Sequence, residues 1–103
     1  MSAVLKQMSL AEIRDEVLLL ARKKLNDVII DARIESDTDL DEHDSLRITL
    51  ILKSQNALVS RGDELGELTL AVGDMLSKRG DSRFPFFRFA TRAELEELER
   101  GDD

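Results

Sequence analysis

The chain has 103 residues, 42% of them hydrophobic and 36% charged, with a formal net charge of −7. That length suits one domain with a real core and no room for a second, so residues 1–103 are expected to fold as a unit. The acidic balance argues against a whole-protein electrostatic hold on nucleic acid or anionic lipid, and the lack of cysteine excludes a disulfide framework, thiolate chemistry and cysteine-bound metal. The longest apolar run, Val17 to Ala21, is far too short to span a bilayer. The amino terminus has no basic-then-apolar leader layout, so the expectation is a cytoplasmic protein without membrane partners.

Residues 1–8 read as a loose arm. Ser9 then opens a helix on three agreeing signals: a hydroxyl able to cap the first turn, Glu12 three residues on to complete a capping box, and Met8 with Ile13 placed as a hydrophobic staple. Leu10, Ile13, Val17, Leu20 and Ala21 form one stripe at helical spacing. Arg22, Lys23 and Lys24 suit the carboxyl end of the helix dipole, and Asn26 can take the left-handed stop.

A β-hairpin is predicted over Val28 to Ser54. Val28, Ile30, Ala32 and Ile34 alternate with Ile29, Asp31, Arg33 and Glu35; Leu46, Ile48, Leu50 and Leu52 alternate with Arg47, Thr49, Ile51 and Lys53. Two registers align the apolar faces. The one that sets Glu35 against Arg47 is preferred to the one that sets Arg33 there, because opposite charges across a pair help and like charges hurt.

The connecting loop holds Asp37, Asp39, Asp41, Glu42 and Asp44. Its first three acids match the D-x-D-x-D opening of a calcium loop. The sixth position is Glu42 where a glycine is needed, and the twelfth is Ile48 where a bidentate glutamate belongs. It therefore reads as a solvated acidic turn, with no metal site and no cofactor. His43 is the sole histidine; with Asp44 and Ser45 it is adjacent in sequence, and adjacent residues of an extended segment point opposite ways, which is not a triad geometry. No catalytic residue is assigned.

Ser60 or Asp63 begins a second long helix, with Leu65, Leu68, Val72, Met75 and Leu76 on its stripe and Gly80 as its left-handed cap. Gly66 and Gly73 lie two turns apart beside that stripe. Each costs up to roughly 1 kcal/mol of helix stability relative to alanine, so close packing of the other helix or of a second subunit is one expectation for them. A third strand over 84–90 gathers Phe84, Phe86, Phe87 and Phe89, and Pro85 near its start favours an edge position. Thr91 with Glu94 caps a short acidic helix carrying Leu95 and Leu98, in a segment, 91–103, that ends in a frayed tail.

The expected fold is α+β: an α-β-β-α-β-α two-layer sandwich in which a three-stranded antiparallel sheet, order 2-1-3, carries both long helices on the face of Val28, Ile30, Leu50 and Leu52. The α-β-β-α-β order resembles that of ribosome-associated domains of the type II KH kind. Their G-x-x-G loop between helices is missing, since Gly62 and Gly66 stand one residue too far apart, so the likeness is one of element order and implies no function.

Function is expected to lie in binding rather than catalysis. Helices on one face leave the other open, carrying Ile29 and Ile51 and either Phe84 and Phe86 or Phe87 and Phe89. Such a patch marks an interface, for a homodimer or another protein. The alternative is RNA or DNA. From Lys78 to Arg92 the charge reverses, and Arg83 and Arg88 with the phenylalanines resemble a single-strand platform of phosphate contacts and stacking.

Overall fold

The computed structural model describes residues 7–38 and 44–100. It contains α1 (Leu10–Leu25), β1 (Ile29–Thr38), β2 (Asp44–Leu52), α2 (Asn56–Ser60), α3 (Gly62–Lys78), β3 (Phe84–Thr91) and α4 (Arg92–Arg100). The α+β class holds. Among these residues no helix is long and apolar enough to cross a membrane.

The local signals of α1 act as expected. Ser9 Oγ accepts from the Glu12 amide and Glu12 Oε1 accepts from the Ser9 amide, both at 3.1 Å, which closes the capping box. Met8 and Ile13 are both buried in the core. Asn26 ends the helix with φ at +55° and Gly80 follows α3 with φ at +80°. The short α2 lies outside the expected elements, since five residues are too few for a helical period to show. Ser60 closes it, donating its hydroxyl to the Asn56 carbonyl at 3.0 Å, and α3 starts just beyond at Gly62.

The sheet differs from the expected arrangement. Its order is β1-β2-β3, with β1 and β2 antiparallel and β2 and β3 parallel, so the sheet is mixed and not antiparallel in the order 2-1-3. The physical reason lies in the middle strand. Ile48, Thr49, Leu50, Ile51 and Leu52 are consecutive and all buried, whereas one face of β1 carries Asp31, Arg33, Glu35 and Asp37. A strand apolar on both faces belongs in the centre, and a strand with one charged face can tolerate an edge. β3 is at an edge, as Pro85 suggested, and Glu35 does stand opposite Arg47.

A β-bulge between Ile29 and Asp31 changes which side of β1 faces the helices. Ile29 pairs with Leu52, Ala32 with Leu50 and Ile34 with Ile48, so the covered face holds Ile29, not Ile30, which is exposed. α1 and α3 both pack on that face, and Ile13, Val17, Leu25, Leu46, Ile48, Leu50, Leu68, Val72 and Leu76 form the centre of the core.

Met8, expected within a loose arm, is held by a buried clasp. Its amide donates to Asp81 Oδ2 at 3.1 Å and its carbonyl accepts from Arg83 Nη2 at 2.8 Å. Arg83 also grips Asp81 through Nε to Oδ1 at 3.0 Å and Nη2 to Oδ2 at 2.7 Å, while its own amide donates to Oδ1 at 3.1 Å. This charge-assisted network joins the start of α1 to the start of β3. Hydrogen bonds from the Arg83 guanidinium, more than any other influence, hold the Asp81 carboxyl below its ordinary value of 3.8. Removing one member strands the other charge, so Asp81→Ala should lower stability at neutral pH by about 3–5 kcal/mol in denaturant unfolding. Because the folded pKa is depressed, the clasp's contribution is complete above the unfolded value and fades as pH falls through the folded one. The difference between wild type and variant should therefore shrink progressively below about pH 4.

Candidate functional site

Residues that pair across strands share a face, so the register defines the side of the sheet away from α1 and α3 row by row. It reads Asp37, Ser45 and Phe84; then Glu35, Arg47 and Phe86; then Arg33, Thr49 and Arg88; then Asp31, Ile51 and Ala90. Phe84 and Phe86 thus occupy this open face, and Phe87 and Phe89 lie half-buried on the helix-covered one.

α4 closes the lower half of the open face. Thr91 and Glu94 form a second capping box, with the Thr91 amide donating to Glu94 Oε1 at 2.9 Å and the Glu94 amide to Thr91 Oγ1 at 3.2 Å. The helix then drops Leu95 onto Ile51 and Ala90. An ion pair from Arg33 to Glu99 at 3.0 Å and a longer one from Arg92 to Asp31 at 3.7 Å draw it across toward β1. Ile51 is left 1% exposed and Thr49 fully buried, its hydroxyl without a hydrogen bond. Leu98 covers little, remaining 56% exposed.

The upper half stays open. Phe84 is 63% exposed and Phe86 51%, and their rings form a tilted pair with centroids 4.9 Å apart. Arg47 flanks Phe86, tethered to Asp37 at 2.7 Å. Arg88 is exposed, and among the described residues it has no hydrogen bond or ion pair. The patch is therefore two aromatic rings beside two guanidinium groups, one of them tethered.

Of the residues singled out from the sequence, Phe84, Phe86 and Arg88 come together here. Ile29 lies in the main core at 5% exposure, and Arg83 is spent on Asp81. The sequence around Arg47 marks it only as a cross-strand partner for Glu35. Its place in the site follows from the parallel pairing with β3, which no local pattern reveals. Most of the remaining positive charge between 78 and 92 is also engaged: Lys78 with Asp74, Arg79 with Glu12 and Glu16, Arg92 with Asp31.

A concavity of about 240 Å³ lies at the hairpin end, lined by Gln7, Ser36, Asp37, Thr38, Asp44, Ser45 and Arg83. Among the described residues no hydrogen bond there links a hydroxyl to a carboxylate as nucleophile to base, and no group of three or more metal-ligating side chains exists. Asp39, Asp41, Glu42 and His43, the rest of the acidic turn, lie outside the described residues. Comparison with protein-family models, curated proteins and solved structures finds no match.

The glycine face of α3 is open too. A Cβ built on Gly66 or Gly73 meets nothing within 4 Å, so the other helix does not pack closely there. With the space empty and the backbone helical, Gly66→Ala and Gly73→Ala should each raise stability by about 0.5–1 kcal/mol. A lower melting temperature together with a change in solution mass would instead show that a second subunit uses those glycines.

Proposed function

We propose that this protein is a small, acidic, non-enzymatic cytoplasmic module that binds protein through the Phe84 and Phe86 side of its sheet. The observation that carries the reading is the exposure of two adjacent phenylalanine rings, paired on one side of a strand at the sheet edge. Exposed aromatic rings lose hydrophobic free energy unless a partner covers them, and buried aromatic anchors with arginine dominate the energetics of protein interfaces. Arg47 and Arg88 supply the polar border such an anchor needs.

Phe84→Asp/Phe86→Asp is the direct test, since both side chains stand in solvent and their replacement leaves the core intact. The double variant should keep its circular dichroism spectrum while losing association, read as mass by light scattering over a concentration series and as proteins captured from cell extract. A wild-type monomer that captures the same proteins as the double variant would end the reading.

A second reading, single-stranded nucleic acid binding, is favoured by the rings lying on one face with Arg47 and Arg88. It predicts salt-dependent binding of a labelled RNA or DNA strand, measured by anisotropy and lost in Arg88→Ala/Phe86→Ala. No binding at low salt would remove it.

A further inference from the structure

The two edges of this sheet are built differently. β1 is guarded. It carries a bulge near its start and a row of charges on one face. Arg14 of α1 also reaches over it, donating from Nε to the Ala32 carbonyl at 3.2 Å and from Nη2 to Asp31 at 2.6 Å. Bulges, charges and a covering side chain are the devices by which proteins stop strands from adding to an edge. β3 has almost none of them. Pro85 removes one donor near its start and the Thr91 N–H is taken by Glu94 Oε1, while Phe86 to Ala90 keep their backbone N–H groups. No described strand pairs with its outer side, and its phenylalanines are exposed on one face and half-buried on the other.

We propose that β3 pairs antiparallel with β3 of a second copy, so that two chains share one continuous sheet of twice the width. The inference rests on the interaction reading above and names its partner. A twofold axis normal to the sheet keeps each copy's open face on the same side. With the axis near Phe87, Phe84 of one copy stands beside Ala90 of the other and Phe86 beside Arg88. The free guanidinium then has an aromatic face to meet, an attraction that grows as water leaves. On the helix-covered side Phe87 meets Phe87 of the other copy and Phe89 meets Pro85. The register centred on Arg88 is disfavoured because it sets like charges opposite each other.

The charge within β3 selects the antiparallel direction and makes the strand complementary to a second copy of itself. In-register parallel pairing would set Arg88 beside Arg88, whereas antiparallel pairing about Phe87 sets each Arg88 beside the Phe86 ring of the other copy. Because the β1 edges are guarded, addition stops at two copies and does not run on into a fibre.

The test combines mass and amide exchange on the full chain. Light scattering should give twice the chain mass at high concentration, falling on dilution, and Phe86→Asp should weaken the dimer roughly tenfold or more with its fold unchanged. Hydrogen exchange should slow at β3 amides in the dimer relative to the diluted monomer, and not at β1. The chain has no cysteine, so a mixture of Phe86→Cys and Arg88→Cys proteins should form a mixed disulfide under mild oxidation, while Glu35→Cys alone should not self-link. A wild-type monomer at every concentration overturns the self-pairing and leaves the wider interaction reading standing. A dimer whose β3 amides exchange as in the monomer overturns it as well, and places the contact elsewhere, for instance on the glycine face of α3.

Discussion

The fold depends on β2 being buried on both faces. Leu46, Ile48, Leu50 and Leu52 meet α1 and α3, while Thr49 and Ile51 are covered from the other side, so one strand joins two hydrophobic clusters. β1 supplies its antiparallel neighbour and β3 its parallel one, and each of these edge strands then has one partner and one free side. What the molecule offers to others follows from this. A central strand consumed by the core leaves the β3 edge and the uncovered part of one face as the surfaces of the sheet open to a partner.

Much of this was legible in the amino-acid pattern, and for identifiable reasons. The Ser9 and Glu12 capping box, the Met8 and Ile13 staple and the Gly80 stop are local interactions, decided by residues a few positions apart. The hairpin register was legible because a cross-strand charge pair distinguishes two otherwise equal alignments. Strand order is not local. Both arms of the hairpin alternate, so alternation alone does not say which is central. The deciding difference is that the second face of β1 is charged while that of β2 carries Thr49 and Ile51. The bulge at Ile29 to Asp31 is equally hidden from a period-2 reading, because one extra residue reverses the parity of everything before it. That single residue moves Ile29 from the expected open face into the core.

The arginine-rich segment shows how a local charge excess differs from a charged surface. In sequence, 78–92 holds five basic residues and one acid. In space, Asp81 takes Arg83 inside, α1 lends Glu12 and Glu16 to Arg79, and Asp31 lies within reach of Arg92. Acids brought by tertiary folding neutralise what the chain concentrates locally. Arg88 escapes because its row on the sheet contains Arg33 and Thr49 and no carboxylate. The same folding that consumes its neighbours leaves it beside the exposed rings.

The clasp of Met8, Asp81 and Arg83 ties these threads together mechanically. It fixes the residue immediately before Phe84 by backbone and side-chain bonds, in a buried setting where a lost partner is expensive. The first exposed ring therefore projects from an anchored point, not from a free loop end. At the other end of β3 the Thr91 and Glu94 capping box starts α4 at once, and Leu95 binds that helix back onto the sheet. β3 is thus held at both ends while its outer side is unpaired. A strand ordered in this way loses little conformational entropy when another strand or surface docks on it, which is the condition under which a small apolar patch can sustain useful affinity.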